Sequence, residues 1–208
     1  MGEKMGRREQ KKLLSRKAIL DAAVRLFTER GVKETSIADI TKDAGLGIGT
    51  FYNYYNSKEE VLLELLENIA AKIRERETLL NAQAMPVAAE LANLFLYATE
   101  LLSQNRYVLP LFARAAERAG EPEQGGHEVT PSFKGIFEQL TIRGQQQGEF
   151  RTDIPAAVIT EMFHSLFQAA AFSRLGLPFA ENIRLKMTLI IDGMRASAIE
   201  NHRETKEG

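Results

Sequence analysis

Two helix starts bracket a glycine turn between residues 36 and 60, and this limits the fold more than any other stretch. Ser36-x-x-Asp39 and Ser57-x-x-Glu60 both have capping-box form. In that box a hydroxyl and a carboxylate satisfy backbone N–H groups that a first helical turn leaves without partners. Between them runs "AGLGIGTFYNYY", with Gly45, Gly47 and Gly49 in alternation and four aromatic rings in the five positions 51–55. A chain that starts a helix at Ser36, breaks it at Gly45, forms a short one through 49–55 and starts again at Ser57 is committed to helices around a tight turn.

The flanking sequence agrees. Ile19, Ala22, Ala23, Leu26 and Phe27 recur at i, i+3, i+4, i+7 and i+8, the stripe of an amphipathic helix over 15–30, and Gly31 stops it. Ile37, Ile40 and Ala44 stripe the next. Val61, Leu62, Leu65, Leu66 and Ile69 lead away in a long helix. Pro86 opens a helix to about Gln104, and another spans roughly 106–119. "AGEPEQGG" reads as a loop, and 131–147 as a helix ended by Gly148. "GEFRTDIP" is a turn with Asp153 as cap and Pro155 in the first turn, followed by helices near 155–175 and 180–199. Strand alternation is missing throughout. The fold class is all-α. Residues 1–14 form a basic arm, 15–57 a three-helix domain, 58–200 a larger helical bundle and 201–208 a frayed tail.

Charge is divided between these parts. Residues 1–58 hold 12 Lys/Arg against 7 Asp/Glu, a net of +5, and the other 150 hold 15 against 21, a net of −6. A basic head on an acidic body suits a polyanionic partner, or two solvated surfaces that differ by chance. The run "KMGRREQKK", with Lys4, Arg7, Arg8, Lys11 and Lys12, is either an arm reaching a nucleic-acid backbone or minor groove, or a solvated leader. With no cysteine and three distant histidines, His127, His164 and His202, neither a disulfide framework nor a metal site is expected. No cofactor is expected either. No run nears the roughly 18 apolar residues of a membrane span. The N-terminus lacks an apolar segment of signal type, which makes the cytoplasm the expected location.

The glycine stretch admits three readings. A phosphate-binding loop needs a preceding strand and other glycine spacing, and here a helix precedes it. A plain core segment accounts for Phe51 and Tyr55, but four rings from one short helix exceed what a small head can bury. The third reading is a helix-turn-helix. Gly45 supplies the turn, and Ile48, Phe51 and Tyr55 share the face toward the preceding helix. Gly49, Thr50 and Asn53 then form a small polar face flanked by Tyr52 and Tyr54, as insertion into a major groove requires.

On these residues the chain resembles TetR-type transcriptional regulators. "SRKAILDAAVRLFTERGVKETSIADITKDAGLGIGTFYNYYNSKEEVLLEL" carries the helix-one pattern, the Gly31 stop, the Thr35-Ser36 start, the Ile40 to Gly45 turn, Gly49-Thr50-Phe51-Tyr52 and Ser57-Lys58-Glu59-Glu60. The resemblance implies a homodimeric, ligand-responsive repressor without enzymatic activity, which binds double-stranded DNA at a palindromic operator and is released by a small apolar or aromatic effector. It implies phosphate contacts from Thr35, Ser36 and Lys58. It also implies a recognition surface of Gly47, Ile48, Gly49, Thr50, Tyr52, Asn53 and Tyr54.

The larger bundle offers candidates of a softer kind. Phe95, Phe112, Phe133, Phe137, Phe163 and Phe167, with His164 and Gln168 one turn apart, either line an effector pocket or fill the core. The last two helices carry apolar faces wider than one buried stripe. Met162, Leu166, Ala170, Met187, Ile190, Ile191 and Met194 are therefore expected at a homodimer interface, where the resemblance places two such helices from each subunit. A small helical enzyme is the rival reading, but the sequence shows no paired acid and base and no nucleophile beside a base. A helical interaction module without a DNA role leaves the basic head unexplained.

Overall fold

A computed structural model describes residues 6–111 and 134–195. The helices are α1 (Arg7–Arg30), α2 (Ile37–Asp43), α3 (Ile48–Tyr52), α4 (Lys58–Asn81), α5 (Val87–Gln104), α6 (Lys134–Gln146), α7 (Ala156–Ala171) and α8 (Phe179–Met194), with a 3-10 turn at Arg106–Val108. Among the described residues the only β-type pairing is an isolated bridge between Phe150 and Arg195. None of the described helices is long and apolar enough to cross a membrane. The chain divides into two compact units. One contains α1–α3, α4 through Asn68 and residues 105–108, and the other contains α4 from Ile69, α5 and the described residues from Leu109 onward. The expected tail, the loop at 119–126 and most of the helix expected to reach 119 lie outside the described residues.

In the smaller unit, the buried stripe of α1 is Ile19, Ala22, Ala23, Leu26 and Phe27. Gly31 ends the helix at φ +83°, donating its N–H to Phe27 O at 3.0 Å. At the start of α2 the capping box is complete: Asp39 N donates to Ser36 Oγ at 3.1 Å, and Ser36 N to the Asp39 carboxylate at 3.0 Å. Those bonds, the hydroxyl of Ser36 first, hold the Asp39 carboxyl below its ordinary range. The second box is half formed. Glu60 N donates to Ser57 Oγ at 3.2 Å, but the Glu60 carboxylate takes the N–H of Asn56 at 2.8 Å. One correction concerns the arm. Arg7–Lys12 belong to α1 as regular helix although every residue from 7 to 14 is exposed. Arg, Glu, Gln, Lys and Leu are strong helix formers, and the buried stripe downstream nucleates the helix they extend.

In the larger unit, α5 is buried on most of its circumference and packs against α6 and α8, while α7 packs against α6 and α8. Glu149, from the turn after α6, accepts N–H bonds from Val87 at 2.8 Å and Ala88 at 3.0 Å, capping the start of α5. That turn is tight because Gly144 lets Phe150 close over it. A Cβ at Gly144 would lie 2.1 Å from the ring. Glu90 of α5 is buried and pairs with Arg143 of α6, which also donates to Asn81 at 2.6 Å. Burial pushes the Glu90 carboxyl up, and Arg143 opposes that shift.

Candidate nucleic-acid interface

The turn between α2 and α3 is closed by backbone geometry. Gly45 adopts φ +68°, a left-handed conformation that favours glycine. Leu46 N donates to Thr41 O at 2.9 Å and Gly45 N to Lys42 O at 3.2 Å. This pair of bonds is a Schellman closure, which satisfies the last carbonyls of α2 and fixes the direction in which the chain leaves. Phe51 is the anchor of α3. It is fully buried, with the Tyr52 ring edge-on at 5.7 Å and Tyr55 tilted at 5.7 Å. The buried Tyr55 hydroxyl donates to Glu64 at 2.9 Å and accepts from Arg16 at 3.3 Å, and Arg16 pairs with Glu64 at 2.6 Å. Burial pushes the Tyr55 phenol up to about 12. So α1, the segment that follows α3, and α4 meet at one polar knot.

With Phe51 and Tyr55 turned inward, the other side of α3 is presented to solvent. Gly47, Gly49 and Asn53 are exposed, Thr50 and Tyr54 half-buried, Ile48 50% exposed and Tyr52 55% exposed. Ile48 does not share the inward face with Phe51 and Tyr55. It lies one residue after Gly47, the N-cap, where no neighbouring helix covers it, and its aliphatic surface faces outward with Gly49.

Two residues expected at phosphates make contacts within the chain instead. Thr35 is 1% exposed, and its hydroxyl donates to Gly31 O at 2.8 Å, which leaves it no free donor. The Lys58 ammonium turns inward and donates to Val32 O at 2.6 Å, Thr35 O at 2.8 Å and Lys33 O at 3.3 Å. It therefore gathers the carbonyls of the α1–α2 turn. Ser36 remains exposed at the start of α2.

Part of the basic run at the N-terminus adjoins α3. Arg8, Lys11 and Lys12 of α1 line a cleft with Thr50, Asn53 and Tyr54, and Glu9 and Ser15 complete its wall. The i, i+3, i+4 spacing of these cations was visible in the sequence, but placing them beside α3 needs the fold.

The larger unit departs further from expectation. Phe95, Phe137, Phe163 and Phe167 are buried against one another, with Phe95 stacked on Phe167 at 4.8 Å, tilted to Phe163 at 5.3 Å and edge-on to Phe137 at 5.5 Å. They form a closed core rather than the lining of a pocket. His164 and Gln168 sit half-buried beside them, and Phe112 and Phe133 lie outside the described residues. An open groove occurs instead at α6, lined by Glu77, Ile136, Gln139, Leu140 and Arg143. Among the expected interface residues, Leu166, Ala170, Met187, Ile191 and Met194 are buried within the chain itself, because these sides of α7 and α8 pack into the bundle. Ile190 is half-buried and Met162 is 49% exposed. The apolar residues left outward are Val158, Met162 and Phe172 around α7, with Leu185 and Leu189 on α8, Leu189 at 75%.

Residues 19–65, which span α2, α3 and the turn just described, match the family profile of bacterial regulatory proteins of the tetR family. The chain carries the N-terminal domain of TetR-family transcriptional regulators. Among its relatives, the HTH-type transcriptional repressor KstR2 of Rhodococcus jostii (strain RHA1) is 27% identical over 145 residues, 67% of this chain and 69% of that protein. The crystal structure of Thermus thermophilus FadR, a TetR-family repressor in complex with lauroyl-CoA, superposes with a TM-score of 0.64 at 27% identity, covering 88% of this chain and 96% of that one. FadR from Bacillus subtilis in complex with stearoyl-CoA shares the fold, with a TM-score of 0.66 at 19% identity over 86% and 99% of the two chains. The all-α architecture and the absence of enzymatic function expected of a TetR-family regulator agree with these relatives.

Proposed function

We propose that this regulator is a cytoplasmic homodimeric repressor that reads a near-palindromic operator with the outward side of α3 and is released by a long-chain acyl-CoA. One observation supports the DNA reading above others: Phe51 and Tyr55 anchor α3 inward, so Ile48, Gly49 and Tyr52 lie on its open side. Two glycines keep that side shallow enough for close approach to base edges, and Ile48 suits the methyl group of thymine. The exposed stripe of Val158, Met162, Leu185 and Leu189 is an apolar face of the kind a second subunit covers. Two heads must then sit about 34 Å apart, one turn of duplex.

The acyl-CoA assignment rests on likeness to the two FadR complexes. The packed rings on α5, α6 and α7 give it a physical route. An acyl chain enters among Phe95, Phe137, Phe163 and Phe167 only by parting the helices that carry them. Such a ligand prefers the parted state and shifts the equilibrium by its differential affinity.

The test starts with duplexes selected by the full chain from a random pool. Lauroyl-CoA should weaken binding about 5–150-fold, as typical couplings do, and CoA alone should not. A chain that ignores every duplex at low ionic strength overturns the DNA reading. Unchanged affinity in lauroyl-CoA overturns the effector class. Leu189→Arg should convert the dimer to monomer in light scattering, and a persistent dimer would move the interface elsewhere.

A further inference from the structure

We propose that the first turns of α1 form a second DNA-contacting wall, and that the phosphodiester backbone bordering the groove read by α3 passes between that wall and α3. The inference rests on the DNA reading above and adds residues that the resemblance does not supply. Arg8, Lys11 and Lys12 recur on one stripe of α1, and across the cleft stand Thr50, Asn53 and Tyr54. Among the described residues, none of the three cations has an ion-pair partner, although Arg16, Lys17 and Arg25 further along α1 are each paired with a carboxylate. Like charges at i, i+3 and i+4 disfavour the helix that carries them. Nothing in the cleft offsets this repulsion except Glu9, so the wall has a net positive charge.

The opposite wall is chemically suited to the same occupant. A threonine hydroxyl, an asparagine amide and a tyrosine hydroxyl are all groups that donate to phosphate oxygens. Asn53 lies past the last helical residue of α3, as its C-cap, on the cleft side. A helix in a major groove is bordered by two backbones, and a cationic helix standing beside it meets one of them. Phosphate neutralisation by this wall adds affinity without sequence preference. The division of labour is then spatial. Ile48, Gly49 and Tyr52 read bases, while Asn53 and Tyr54 join Arg8, Lys11 and Lys12 on the backbone.

The experiment compares the full chain with Arg8→Gln/Lys11→Gln/Lys12→Gln on a duplex selected from a random pool, with binding measured across a salt series. Each lost phosphate contact should lower the slope of log affinity against log salt by about 0.9, so two heads should lose about 5 in all, with affinity at moderate salt falling on the order of 100-fold. The ranking of selected sequences should stay as it was, and Asn53→Ala should likewise weaken all duplexes alike. Glu9→Gln should strengthen binding and steepen the slope. Circular dichroism melts confirm that the triple variant folds, since residues 7–14 bury nothing. An unchanged slope in the triple variant, with Ile48→Ala still altering the selected sequences, overturns this inference and leaves the DNA reading intact. Failure of the unaltered chain to bind any duplex overturns both.

Discussion

Helix α3, aimed by the α2–α3 turn, and the first turns of α1 border one cleft, yet they are held in place by opposite means. The turn is fixed by short-range geometry: a glycine at φ +68°, two carbonyls closed by the next two N–H groups and a phenyl ring with no exposed surface. The start of α1 is exposed at every residue from 7 to 14 and keeps its shape through intrinsic propensity, as an extension of the helix anchored downstream. A reading helix must present its side chains to within a fraction of an ångström, whereas a charged wall acts through a field and tolerates fraying. Rigidity is thus concentrated at the helix proposed to distinguish bases.

The largest break in this comparison is Phe51→Ala. Removing a fully buried ring should destabilise the smaller unit by about 3–5 kcal/mol, read as a shift in the urea midpoint, and operator binding should vanish with the order of α3. Lys58→Met comes next. It strips the donor from three carbonyls and should cost about 1–3 kcal/mol while leaving the salt slope of binding unchanged. A slope lower by about 0.9 per head would return Lys58 to the phosphate role the family resemblance gives it. Gly45→Val should cost about 1–2 kcal/mol, since a side chain in the left-handed region is strained, and binding should fall through misdirection of α3.

A smaller effect is read with pH. Tyr55 and Tyr107 both have phenols pushed by burial from the ordinary value of 10.0 to about 12. The unfolded chain loses these protons first, so their stabilisation is complete below pH 10 and declines as pH rises toward 12. Tyr55→Phe should make that decline shallower in melts across this window. Smallest of all, Leu13→Ala and Leu14→Ala should each change stability by less than about 0.5 kcal/mol, because both side chains are exposed.

The backbone plan of the smaller unit was legible in the sequence because its signals are local. Ser36 with Asp39, Gly31, Gly45 and the stripe from Ile19 to Phe27 each act within a few residues of themselves. Ile48 was half legible. Its spacing with Phe51 and Tyr55 suggested an inward face, but so short a helix has no partner over its first turn. The inward contacts of Lys58 were not legible because its carbonyl partners lie 23 to 26 residues upstream, and only the fold brings them to its ammonium. In the larger unit the apolar residues of α7 and α8 were visible, but not which side meets the bundle. Helical spacing finds a stripe without saying what covers it. Leu166 and Met187 turned inward while Val158 and Leu189 stayed out.

Glu149 carries a consequence of its own. Its carboxylate holds the first amides of α5 from 61 and 62 positions further along the chain, and α5 bears Phe95 at the centre of the aromatic core. A displacement of the α6–α7 connection therefore uncaps the helix on which the buried rings converge. The bundle has a latch at its rim, two hydrogen bonds strong, whose release loosens its middle without touching it.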